Sequence, residues 1–467
     1  MTDRRLLALG GRLGIALVAA VGAAALAAGV ILVPGPTITA AAPAIDVVPD
    51  RGAQLLVCPG PVLGLSTGAG AQVGALAAPE RLSAGTGLVE AGIPLSDAIN
   101  GTAATVTLPV AAPDDRVAAV ERTEPATDDV SGLTAAECAA PTPATWLVGG
   151  DTTTGRTTWI VLSNPGAVVA TVRIDVWGAD GVIDAPGTTG IVVAPGSQRI
   201  LPLAGFAPGE PSPVVAVSSR GGAVAATLQQ TVVRGLQPAG AAIVTGVSAP
   251  GRVHVIPALP VIDPDGVAQS AAADGSLDYT PTLRLLVPGE VDAEVEVRLA
   301  PIDGGDQVVV RTDVPAGRVL DLSLTERVVA GEYAVTVESD EPVVVGARIG
   351  APADGGLADG GLDLAWLAPA PLLGPGDGAV IAAIAPGVGA LLHLAASDEP
   401  VTVVVDGREV LIPARGATTL AVAGSTAPRL TASAPVHAAV SYRGDAGLDV
   451  SRVLRPAGAP RPLTIYP

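Results

Sequence analysis

Three stretches of this chain follow one plan, and each is written with a period of two. The first contains Ala170-Thr171-Val172-Arg173-Ile174-Asp175-Val176 and the second Ala293-Glu294-Val295-Glu296-Val297-Arg298-Leu299. The third contains Leu391-Leu392-His393-Leu394 and Val401-Thr402-Val403-Val404-Val405. Successive side chains of a strand point to opposite faces, so this spelling puts Val, Ile and Leu on a core face. Arg173, Asp175, Glu294, Glu296 and Arg298 then face water. A helix would scatter the same residues around its whole circumference, so these segments are read as antiparallel strands.

Punctuation repeats with them. Asn164-Pro165-Gly166, Pro288-Gly289 and Pro386-Gly387 open a turn in each stretch. A second turn follows at Pro195-Gly196, Pro315-Ala316-Gly317 and Pro413-Ala414-Arg415-Gly416, about 30, 27 and 27 residues later. A pair of strand-like runs closes each unit: Val214–Ser219 with Val224–Leu228, Tyr333–Ser339 with Pro342–Ala347, and Leu430–Ser433 with Pro435–Val440. Roughly seven short strands per unit of ~80–95 residues is the size of an immunoglobulin-like sandwich. The expected fold is therefore all-β, a tandem array of immunoglobulin-like β-sandwich units. The alternative is a closed, propeller-like arrangement of four β units. Proline-broken apolar runs (Leu55–Val62, Val255–Val261, Trp366–Leu372) favour the linear array, as stiff linkers. The expected divisions are a degenerate N-terminal β unit at 46–143 and full units at 144–250, 251–364 and 365–467. Helix is nearly excluded; the best place for a short one is Ala112–Ala139.

The amino terminus is of another kind. Leu13–Val33 is apolar and uncharged, preceded by Arg4, Arg5 and Arg12 and followed by Pro34-Gly35-Pro36. About 20 such residues span a bilayer core, and positive residues stay inside. The expectation is a cytoplasmic tail (1–12), a single transmembrane helix (13–33), a linker (34–45) and an extracytoplasmic bulk. Cleavage after the small residues Thr39–Ala42, as in a signal peptide, is the other reading. Cys58 and Cys138 both follow this segment, and two cysteines in an oxidising compartment favour a disulfide.

Charge narrows the partners. The net charge is −19 and lysine is absent, so nucleic acid is excluded as the main partner. With four Trp, four Tyr and one Phe, stacking platforms for bases or sugars are scarce.

Catalytic spellings are few. Gly64-Leu65-Ser66-Thr67-Gly68 fits G-x-S-x-G, but it lacks the strand-to-helix setting of a nucleophile elbow. His254, His393 and His437 are not at metal-ligand spacing and read as structural histidines in half-buried strands. The acidic, Gly-rich segments Asp354–Asp363, Asp303–Asp306 and Asp263–Gly266 read as turns, with calcium as the sharper alternative. Trp146, Trp159, Trp177 and Trp366 read as core residues, and the Asn100-Gly101-Thr102 sequon as incidental. No catalytic residue, cofactor or metal site is assigned.

The Arg-bearing tail, the apolar helix and a β-rich body carrying Asn164-Pro165-Gly166 and Pro195-Gly196-Ser197-Gln198-Arg199 resemble a known family. It is the actinobacterial domain-of-unknown-function family 5719, described as membrane-anchored or secreted. The resemblance implies a cell-envelope setting and no activity. The expected function is that of a non-enzymatic, membrane-anchored scaffold or partner-binding component of the envelope. The alternatives are an array of modules binding cell-wall glycan and a glycan-active enzyme using paired carboxylates.

Overall fold

A computed structural model describes residues 18, 20–22, 45–47, 52–65, 72–109, 115–247, 249–274, 278–302, 304–352, 362–387, 389–456 and 463–465. Two compact units divide the chain. In one, Met1–Asp50 with Pro460–Pro467, the strand Ile45–Val47 pairs antiparallel with Leu463–Ile465. Most of the expected transmembrane segment, 13–33, lies outside the described residues; Val18, Ala20, Val21 and Gly22 within it are helical and exposed. Among the described residues no helix is long and apolar enough to cross a membrane.

The other unit, Arg51–Ala459, is nearly all β and is built of several small antiparallel sheets. Each repeat contributes two of them. In the repeat from Ala144 onward, one sheet runs Ala144–Val148, Val214–Gly221, Ala170–Gly178, Gly181–Ile183, with Ile191–Val193 beside Ala170–Gly178. The other runs Ser197–Pro202, Arg156–Asn164, Ala225–Arg234, Gln237–Thr245. The alternation read from the sequence is kept: Val172, Ile174 and Val176 are buried while Thr171 and Arg173 are exposed. Those three pack with Ile160, Leu162, Val217 and Leu228 into the core between the two sheets.

The third repeat copies the order with Ala417–Val422, Ala390–Ala396, Val436–Gly444, Gly447–Arg452. In the second repeat the closing pair fuses into one strand, Gly331–Pro352. Its first half pairs with Gly251–Val261 and Ala293–Pro301, and its second with Thr282–Leu286 and Leu362–Leu367. The N-terminal unit keeps a reduced version, Glu80–Ala84, Ala118–Thr123, Thr134–Glu137, beside Gln54–Val57, Thr102–Leu108, Val89–Pro94.

Each unit's last strand meets the others in a closed ring. Thr134–Glu137 packs on Gln237–Thr245, that on Leu362–Leu367, that on Gly447–Arg452, and that again on Thr134–Glu137. The four units therefore surround one axis in chain order, the closed arrangement named above as the alternative to a linear array.

Three local expectations are corrected. Pro386-Gly387 does not correspond to the other two opening turns: it precedes the strand Ala390–Ala396, whereas Pro165-Gly166 and Pro288-Gly289 follow the equivalent strands. The structural counterpart in the third repeat is the turn Ser397–Pro400, which carries no glycine. The short helix lies at Pro264–Asp274, not within Ala112–Ala139, where Ala118–Thr123 and Thr134–Glu137 are strands. Asp263 caps that helix: its Oδ1 accepts from Gly266 N–H at 3.1 Å, ahead of a proline in the first turn. The strand Leu362–Leu367 crosses the division expected at 364/365 and completes the second repeat.

Cys58 and Cys138 form a disulfide, closing a loop 80 residues apart in sequence. It ties the strand Gln54–Val57 to the axial strand Thr134–Glu137. Replacing both cysteines by serine is expected to lower the unfolding free energy by about 2–5 kcal/mol, read from urea unfolding of the two forms.

Candidate functional site

The axis is held by a carboxylate. Asp363 is fully buried, and its Oδ2 accepts from Leu133 N–H at 3.0 Å and Leu448 N–H at 3.2 Å, while Oδ1 accepts from Ala241 N–H at 3.2 Å. One side chain thus satisfies backbone donors from the other three axial segments. At the matching places the other units carry glycine, at 132, 240 and 447. A Cβ on Gly132 would stand 2.4 Å from Asp363 Oδ1, and one on Gly447 would stand 1.9 Å from Oδ2. One step outward, Asp449 Oδ2 accepts from Ala135 N–H at 2.7 Å.

Burial pushes both carboxyls well above the usual carboxylate range, against the pull of the backbone N–H groups. A raised carboxyl favours folding below its unfolded pKa of about 4, and the benefit is lost as pH rises through the folded value. Asp363→Asn cannot ionise, and its amide NH2 faces backbone donors. Its destabilisation is therefore expected to be largest near pH 4 and to shrink as pH rises; urea unfolding at several pH values reads this directly.

Near the axis a cavity of about 560 Å3 is walled by all four units. Leu56, Val57 and Ala139 come from the first, Ala226 and Thr227 from the second, His254 from the third, Ala370 from the link after it, and His437 and Leu454 from the fourth. Arg452 and Glu137 are both nearly buried in its wall. Arg452 Nε and Nη2 donate to Glu137 Oε1 at 2.8 and 2.6 Å, and Arg452 N–H donates to Oε2 at 2.9 Å. Its remaining donors reach Pro369 O at 3.2 Å and Gly246 O at 2.9 Å. At the edge, Arg455 pairs with Asp377 at 2.8 Å.

Two histidines enter this wall. His254 Nε2 lies 2.8 Å from Val343 O and 3.1 Å from Gly251 O; His437 Nδ1 lies 2.8 Å from Ala370 O. A carbonyl only accepts, so Nε2 of His254 and Nδ1 of His437 carry the protons. Burial pushes both imidazoles down, so they are neutral and the opposite nitrogen of each bears a lone pair. His393 is elsewhere. It is fully buried against Ser441 Oγ at 2.8 Å, and burial pushes it down to about 4.

The other sequence candidates do not converge on the cavity. Ser66 of the G-x-S-x-G spelling lies outside the described residues, as do most of Asp354–Asp363 and Asp303. Asp263–Gly266 is a helix start. Asn100 Oδ1 accepts from Ala75 N–H at 2.7 Å. Trp159 and Trp366 are buried, while Trp146 and Trp177 stack with ring centroids 5.1 Å apart. Among the described residues no group of three or more His, Cys, Asp or Glu could hold a metal ion. Sequence reasoning missed Asp363, Glu137, Ala370 and Arg452 as partners. The one available signal was Asp363 itself, a carboxylate spelled inside the apolar run Leu362–Leu367.

A family described as of unknown function (DUF5719) matches residues 96–433, most of the chain. The chain belongs to this family. The match runs from within the N-terminal unit into the third repeat, so it takes in Asp363, Glu137 and His254 but not Arg452 or His437. No curated protein matches the chain. Among solved structures, Thermotoga maritima 1070 is similar at 17% identity, over 26% of this chain and 93% of its own, with a TM-score of 0.21. A likeness that low carries no argument about fold or function.

Proposed function

We propose that this chain is a non-enzymatic, membrane-tethered extracytoplasmic binding component of the cell envelope, and that the cavity beside its axis is where it binds. The observation that carries this is the origin of the walls: all four units contribute, so the cavity exists only because the ring closes. Repeated two-sheet units in the manner of immunoglobulin-like sandwiches serve here as a rigid frame, and rigid elements place a binding site better than loops do. Its size falls within the range of roughly 300–1,000 Å3 that ligand sites occupy. Support for the location comes from the Leu13–Val33 run and from a disulfide, which persists in oxidising compartments.

The glycan-binding and enzyme readings have less behind them. Trp146 and Trp177 pack against Val148, Val214, Leu286, Val319 and Val344 and so offer no open platform. Asp363 and Asp449 are acids sealed among backbone donors.

The test is native mass spectrometry of the full chain extracted from its own membranes in mild detergent, beside Thr227→Trp, which fills the cavity from a half-buried wall position. A co-purifying adduct on the parent chain that the variant lacks is the expected result. Identical adduct-free spectra, with both forms folded by thermal unfolding, would overturn the reading.

A further inference from the structure

The chemistry of the cavity wall goes further than its existence. Its described lining residues include Leu56, Val57, Ala226, Leu372 and Leu454, and none is Phe, Tyr or Trp. The apolar character continues outward, since Val253 is 62% exposed and Leu372 43%. Flat rings therefore meet only the two imidazoles, whereas a flexible aliphatic chain meets apolar side chains over much of the wall.

Charge in the wall is already matched. The guanidinium of Arg452 is paired with Glu137, and that of Arg455 with Asp377. A carboxylate or ammonium brought in by a ligand would lose its water and find each neighbouring ion paired, a costly exchange. Among the polar groups of the wall still able to act are the hydroxyls of Thr227 and Thr245 and the lone-pair nitrogens of two imidazoles, Nδ1 of His254 and Nε2 of His437. Both rings are fixed in that sense by carbonyls on their other side. Each can accept a hydrogen bond, and as neutral bases they ask for an O–H donor.

Resting on the binding reading above, we infer that the cavity takes an uncharged amphiphile: an aliphatic chain ending in a hydroxyl, with the chain against the Ala, Val and Leu wall and the hydroxyl donating to His254 or His437. The ligand is thus of the class of long-chain alcohols and acylglycerols, not fatty acids, sugars or nucleotides.

The experiment is isothermal titration calorimetry of the full chain with four ten-carbon probes: decanol, decyl methyl ether, decanoate and decylammonium. Decanol is expected to bind at least about tenfold more tightly than either ion. It should exceed the ether, which has no donor, by roughly three- to tenfold, the worth of one hydrogen bond. His254→Leu and His437→Leu together should erase the alcohol-over-ether preference while ether binding persists, and Thr227→Trp should abolish both. Should the double variant fail to fold, the four-probe order on the parent chain decides the matter alone. Decanoate or decylammonium binding as tightly as decanol overturns the inference and leaves the cavity as a binding site. So does an ether as good as the alcohol. Silence from all four probes also overturns it, and the adduct comparison on membrane-extracted protein then judges the binding reading separately.

Discussion

Gly447→Ala is expected to lower the unfolding free energy by about 3–5 kcal/mol, read from urea unfolding, although it adds one methyl group. Two costs combine. The residue sits at φ +142°, a region that side chains rarely adopt, and the new Cβ would stand 1.9 Å from Asp363 Oδ2 and 2.5 Å from its Cβ and Cγ. Neither party can move aside. Asp363 is held by three other strands, and Gly447 begins the axial strand that pairs with Val436–Gly444. Gly407 separates the two costs. It has φ +86°, and a methyl group added there would meet nothing within 4 Å, so Gly407→Ala should cost only about 1 kcal/mol, the backbone part. The contact part is read from a double-mutant cycle: with Asp363→Ala already present, Gly447→Ala should cost about 1–2 kcal/mol less than in the parent. Additive losses would mean that the axial carboxylate does not hold Gly447 at this distance.

The division between what could and could not be read from the sequence follows the range of the interactions. Alternation in 170–178 and 293–301 is a local property, fixed by the two-residue pleat, and the strands stand where it places them. The cysteine pair was legible because a count of two leaves one pairing. Closure of the ring was not. The stiffness of Pro257, Pro260 and Pro369, taken locally, points to beads on a line. The choice is made by Asp363 bonding to Leu133, Ala241 and Leu448, residues far from it in sequence. The third opening turn was misplaced for a related reason. Pro-Gly is common enough in this chain to fall one strand early, and Ser397–Pro400, the true counterpart, lacks the glycine that would mark it. His254 and His437 bond to Val343 O and Ala370 O. Their shared wall depends on strands brought together only by the ring.

Arg452→Met should cost about 3–5 kcal/mol, comparable to the axial glycine but by a different route. The guanidinium binds Glu137 from the first unit, Gly246 O at the end of the second and Pro369 O after the third, while Arg452 itself belongs to the fourth. Methionine keeps the length and apolar stem but leaves a nearly buried carboxylate with only the Arg452 N–H, and it leaves two carbonyls without this donor. Most of the loss is the stranded charge of Glu137, not the worth of the pair. The double variant Glu137→Leu/Arg452→Met, which removes both charges, should therefore recover more than half of the single-variant loss in urea unfolding. The two carbonyls lack the guanidinium donor in both variants, so recovery should stay incomplete. If the double variant is instead as unstable as Arg452→Met alone, the carbonyl bonds carry the clasp, and joining the linkers after the second and third units matters more than neutralising Glu137. Either way the same residue that closes the ring also lines the cavity. Loosening it should widen the cavity at the cost of the ring, which ties the binding site to the stability of the fold through a single side chain.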